Sequence, residues 1–125
     1  MHVTVYHNVA TDPQGRTLGM LDGYAPGHPL VPVATYTDDG GDPTAVAEEA
    51  FRLFNVGDDP DMGTPDARAL AYRARGNRSL SKGDVVHCTD GQGHWWLACA
   101  SRGWDHVPEP RWFAHEVTRH GTRSL

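Results

Sequence analysis

From His2 the chain alternates, with Val3, Val5 and Val9 on one parity and Thr4, Tyr6 and Asn8 on the other. A period of two is the pattern of a strand with one buried face. The Gly- and Pro-rich stretch TDPQGRTLGMLDGYAPGHP then predicts loops with one short element around Leu18 to Leu21. LVPVATYT predicts a second strand from about Pro32 to Thr37, with the proline near its start, where a missing donor is tolerated. In GGDPTAVAEEAFRLFNVG the period changes: Val46, Ala47, Ala50, Phe51, Leu53 and Phe54 recur at the three-to-four spacing of an amphipathic helix. Asp42 is placed to N-cap it, and Pro43 sits at the first helical position, where its missing N–H is no loss. Glu48 and Glu49 lie toward the positive end of the helix dipole, and Asn55 and Gly57 close the helix. Such a helix is expected to cover one face of a sheet.

Between Asp58 and Arg78 the pattern weakens. Thr64-Pro65-Asp66 can start a second helix through ARALAYRAR, with Ala67, Leu70, Ala71 and Ala74 as its apolar face, against the alternative of a long basic loop. Gly83 marks a turn and Asp84 to Thr89 a strand. Asp90-Gly91-Gln92-Gly93 then predicts a two-residue hairpin loop with Gly91 at the first central position, where a type II′ turn needs positive φ. Pairing Asp90 with Gly93 fixes the register of every facing pair, because a hairpin cannot slip without exchanging its faces. Val86, Cys88, Trp95, Leu97 and Cys99 then share a core face, and Val85, His87, Thr89, His94, Trp96 and Ala98 a mixed surface. WDHV predicts a third antiparallel strand, and PEPRWFAHEVTRHG a short helix or turn. The fold class is α+β: a small, mostly antiparallel sheet with a C-terminal hairpin or meander and one main amphipathic helix packed on one face.

Composition narrows the class. A chain of 125 residues with 38% apolar and 22% charged residues suits a single folded domain over 1–125. MHVTVYHNVA lacks the basic and apolar regions of a signal peptide, and no apolar run reaches membrane length, so the expectation is a cytoplasmic protein without a membrane partner. The net charge of −5 hides an asymmetry: residues 1–66 hold eleven acids against Arg16 and Arg52, whereas residues 67–125 hold nine bases against five acids. Two readings follow. The halves complement each other across solvated surfaces, or the protein presents an acidic partner face or a basic nucleic-acid face.

Candidate chemistry is sparse. In the predicted register Cys88 and Cys99 stand roughly 13 Å apart at about 3.3 Å per residue, beyond disulfide reach, and read as small core residues. Of the eight histidines, His2 and His7 fall on opposite strand faces, and His115 and His120 are five apart. Only His87 and His94 share a hairpin face, and they need a third group to hold a metal, so neither metal nor cofactor is expected. Ser79-Leu80-Ser81-Lys82 has the spacing of Ser-x-x-Lys chemistry, but that motif needs a helix, and Gly83-Asp84-Val85-Val86 is entering a strand. Ser79 and Ser81 are therefore expected to bond local backbone groups, with Lys82 in solvent and Gly83 in a turn. There is no Gly-rich phosphate loop or nucleophile elbow, and no catalytic residue is assigned.

VTVYHN, AFRLFNVGDDP, RSLSKGDVV and WLACASRGWDHVPE, taken in that order, resemble the YodL-like domain. The resemblance spans roughly residues 3 to 110 and is strongest over 51–55 and 78–107. The chain departs from it in an insert at about 58–77, DDPDMGTPDARALAYRARGN, and in a tail from about 108. The resemblance implies an accessory module of phages, plasmids and conjugative elements, sometimes found beside antirestriction domains, and it carries no catalytic residues. Its matching positions, Phe51, Phe54, Asn55, Arg78, Ser79, Ser81, Gly83, Asp84 and Trp104, read as framework. The function expected is non-catalytic binding to a host or element-encoded protein. The candidate surface is the face of His87, His94 and Trp96, an exposed aromatic among polar groups, together with Arg73, Arg75 and Arg78. The alternatives are nucleic-acid binding through Arg68, Arg73, Arg75, Arg78 and Lys82, and mimicry of DNA by the acidic half.

Overall fold

The computed structural model describes residues 1–118 and 121–124, with side chains described through Ala114. Its elements are β1 (His2–Asn8), α1 (Leu18–Asp22), β2 (Leu30–Thr37), α2 (Pro43–Val56), α3 (Ala67–Ala74), β3 (Val85–Thr89), β4 (His94–Cys99) and β5 (Trp104–Val107). A final hairpin pairs β6 (Ala114–Thr118) with β7 (Gly121–Ser124). Five strands form one antiparallel sheet in the order β2-β1-β3-β4-β5, an α+β architecture. The hairpin register is the expected one, with Val86 opposite Leu97 and His87 opposite Trp96. Gly91 takes a φ of +94°, and the Asp90 carboxylate accepts from the N–H groups of Gln92 and Gly93.

One face of the sheet packs on helices. Val3, Val5, Val86, Cys88 and Leu97 meet Val46, Ala47, Ala50, Leu53 and Phe54 of α2, each large side chain contributing about 1.5–3 kcal/mol when fully buried. Asp42 caps α2 by accepting from the Thr44 N–H. The segment 58–77 holds a 3-10 turn (Pro60–Met62) and the helix α3, capped by Asp66. The face expected for α3 is wrong: Ala69 and Tyr72 are buried, whereas Ala67, Leu70, Ala71 and Ala74 are exposed. The reason is a close approach at Gly57. Its carbonyl accepts from the Asp66 N–H, and a Cβ there would lie 3.1 Å from the Ala69 Cβ, so α3 is turned with Ala69 and Tyr72 inward.

Three further expectations change. β2 begins at Leu30, which places Pro32 inside an edge strand, opposite Tyr6 where the register shifts. Such an irregular edge position tolerates a residue without an N–H. The outer sheet face is only partly a surface, because Val85 and Ala98 are buried with Leu30 beneath Tyr6, Tyr24, Trp96, Val107 and Phe113. The helix or turn expected near the C-terminus is instead the β6–β7 hairpin, led in by a parallel bridge from Leu30 to Phe113. His115 and His120 lie outside the described side chains.

Candidate functional site

RSLSKGD is the joint at which α3, β1 and β3 meet. Asp84 is 1% exposed and accepts from both terminal guanidinium nitrogens of Arg78, at 2.7 and 2.8 Å. Its carboxylate also accepts from the backbone N–H groups of Asn8 and Ser81, each at 2.9 Å. A buried carboxylate needs this many donors, since an unpaired charge is costly away from water. Asn8 extends the joint, donating to the Gly83 carbonyl and accepting from the Ala10 N–H. Asn55 of α2 grips Leu80 by both backbone groups, accepting from its N–H at 2.7 Å and donating to its carbonyl at 3.1 Å.

The serines do not behave as expected. The Ser79 hydroxyl accepts from Arg73 at 2.6 Å and the Ser81 hydroxyl from Arg78 at 3.2 Å, because guanidinium forks reach them before any backbone group does. Lys82 is half-buried and donates to the Leu21 carbonyl at 3.3 Å instead of pointing freely to solvent. Ser79 and Lys82 are thus committed to different partners, and neither lines the two clefts described below. Gly83 has a φ of +94°, as its turn requires. Phe54 packs on Tyr72 with centroids 4.5 Å apart, and Phe51 on Trp104 at 6.4 Å.

The six residues assigned to one surface separate into three places. Arg73 belongs to the joint, where it bonds Ser79 and the Asn55 carbonyl and pairs with Asp58. Arg75 lines a cleft on the helix side of the sheet, and Arg78 belongs both to the lining of that cleft and to the joint. His87, His94 and Trp96 come together on the outer face, in a pocket of about 470 Å³ completed by Tyr6, Pro32, Glu109, Phe113 and Ala114. The strands impose this gathering. His87 faces Thr4 of β1 and Trp96 of β4, and the bridge to Leu30 brings Phe113 over the same face.

Within the pocket the imidazole of His87 stacks on the Trp96 indole with centroids 4.2 Å apart and on the His94 ring at 5.1 Å. His87 Nε2 and His94 Nδ1 share a hydrogen bond of 2.9 Å, which requires a proton on one nitrogen and a lone pair on the other. Burial lowers the His87 pKa, the neighbouring His94 lowers it further, and Glu109 opposes both. Trp96 is half-buried, not exposed, because Tyr6 and Phe113 each approach its ring to a centroid distance of 5.8 Å. The site is therefore an aromatic cluster with two imidazoles and one carboxylate on its lining, suited to holding an apolar group beside a hydrogen-bonding one. Tyr6, Glu109 and Phe113 were not legible as site residues. Tyr6 shares the face only through the β1–β3 pairing, and Phe113 only through its bridge to Leu30.

Among the described residues, no group of three or more His, Cys, Asp or Glu side chains is placed to hold a metal ion, and no helix is long and apolar enough to cross a membrane. Cys88 and Cys99 are separate buried thiols with pKa values pushed up by burial to about 11. Much of the basic segment is neutralised in place: Arg68 pairs with Asp66, Arg73 with Asp58 and Arg78 with Asp84. No protein-family model, curated protein or solved structure matches the chain.

Proposed function

We propose that this chain is a non-catalytic accessory protein that binds and modulates another protein, of a bacterial host or of a mobile element, through the outer-face pocket. The observation that carries the reading is the stack of His94, His87 and Trp96 beside Tyr6 and Phe113 around an open volume of about 470 Å³. Aromatic anchors with polar neighbours are the composition of interface hot spots. The commitment of Ser79 and Lys82 to structural partners supports a binding role over a hydrolytic one. The resemblance to YodL-like domains supports the accessory context. The internal pairing of Arg68, Arg73 and Arg78 leaves less free positive charge for a phosphate backbone, which favours a protein partner over nucleic acid.

Affinity purification from a bacterial host lysate tests the reading. The wild-type chain is expected to recover one protein in stoichiometric amount, and the pair of exposed substitutions His94→Ala and Glu109→Lys to lose it with melting unchanged. Recovery of nucleic acid alone, or of the same protein by the double variant, contradicts the proposal.

A further inference from the structure

We infer that the cleft between β1, β2 and the loop after α3 binds a small organic anion with an apolar body and a hydrogen-bond donor, the chemistry of a nucleoside monophosphate. This cleft has a volume of about 630 Å³, within the range of small-molecule sites. Its lining includes Arg75, Arg78 and His7 beside the apolar side chains of Val9, Val31 and Val33, and it includes no carboxylate. The two guanidiniums are not equivalent. Arg78 is spent on Asp84, whereas Arg75 makes one bond, from Nη2 to the Val33 carbonyl at 2.9 Å, and has no ion-pair partner among the described residues. That bond ties the end of α3 to the edge strand β2, so the side chain is held at the cleft with other donors unspent. A guanidinium in such a position suits the paired oxygens of a phosphate.

His7 supplies the second, independent observation. The residue is 7% exposed, and its Nε2 lies 2.6 Å from the Tyr72 hydroxyl, which itself donates to the Arg78 carbonyl. The phenol has a single proton, so Nε2 must carry the hydrogen of the bond between them. The imidazole's interaction with the Arg78 carbonyl also needs an N–H and so falls to Nε2, which leaves Nδ1 a lone-pair acceptor with no donor among the described residues, on a ring that lines the cleft. Burial, with Arg78 nearby, keeps this imidazole neutral at pH 7. A ligand N–H or O–H satisfies Nδ1, and the valines accept a flat or apolar body between that donor and the anion at Arg75. A nucleobase edge, a base-and-sugar body and a phosphate satisfy the three requirements in one molecule. The site lies across β2 from the outer-face pocket, sharing only Pro32 with it, and its test reads His7 and Arg75, so its success or failure is distinguishable from that of the proposed function.

Titration of the labelled full chain with AMP, GMP, CMP and UMP, followed by NMR, tests the inference, with adenosine and inorganic phosphate as probes that each lack one part. At least one monophosphate at millimolar concentration is expected to shift the His7 and Arg75 signals, and to bind more tightly than adenosine or phosphate. Arg75→Ala should weaken that binding roughly tenfold or more, as expected for loss of a charge-assisted hydrogen bond, while its NMR spectrum stays that of the folded chain. The inference is overturned if no monophosphate shifts these signals, if Arg75→Ala binds as well as wild type, or if phosphate alone binds equally tightly.

Discussion

Gly83 carries two constraints that differ in kind. Its φ of +94° disfavours any side chain, and a Cβ there would lie 2.5 Å from the Gly19 Cα, so α1 and the joint cannot both keep their places. Gly91 has the same φ and nothing within 4 Å of the added atom. Gly91→Ala should therefore cost about 1 kcal/mol from conformation alone. Gly83→Ala should cost about 2–4 kcal/mol, since overpacking against backbone adds to the strain. Urea denaturation of the two variants separates the contributions, and equal midpoints would show that the contact with Gly19 is relieved at no cost. His7 offers a second test at this scale. Its pKa falls from an ordinary 6.5 to about 4, chiefly by burial and then by the charge of Arg78, with Asp84 opposing. The unfolded chain thus takes up the proton first. Stability should be complete above about pH 6.5 and decline toward pH 4, by on the order of 3 kcal/mol from this group. His87 and His28, also lowered by burial, act in the same direction. A His7→Phe variant should show a flatter dependence of the urea midpoint on pH between 4 and 6.5, and an unchanged slope would remove His7 from this role.

At the scale of elements, legibility followed how local the determining interaction is. The register of β3 and β4 rests on a four-residue turn and alternating side chains, and it was readable to the residue. The N-terminal cap of α2 was equally readable because Asp42 bonds two residues on. The orientation of α3 was not, because Leu70 and Ala71 are as apolar as Ala69, and the choice is made by a distant glycine. Leu70 is 50% exposed, so Leu70→Lys should shift stability by no more than about 0.5 kcal/mol, whereas Ala69→Lys should detach α3 from the end of α2. Circular dichroism and melting of both variants check this, and a severe loss for Leu70→Lys would return the helix to the face its sequence suggests. RSLSKGD was readable as a turn leading into a strand but not as a buried ion pair. Nothing in the local pattern marks Asp84 as carrying the charge that Arg78, Asn8 and Ser81 surround.

On the scale of the whole molecule, the sheet separates two environments. The helix side holds the main core, the Arg78–Asp84 joint and the cleft at Arg75, while the outer side holds the aromatic pocket, closed at one edge by the segment that bridges Leu30. His87, His94 and Trp96 were readable as one patch because a single hairpin carries them. The walls of that patch come from β1, from β2 and from beyond β5, and no spacing along the chain reports such an encounter. If binding to a protein partner is the function, the outer side must be where the partner sits. Replacing His2, which is exposed on the outer face opposite Thr89 but outside the pocket lining, by a photoreactive benzophenone amino acid, and Leu70 likewise on the opposite side, compares the two sides directly in the same lysate. A discrete protein adduct is expected on irradiation from position 2 and none from position 70, and an adduct from position 70 alone, or none from either, would contradict binding through the outer face.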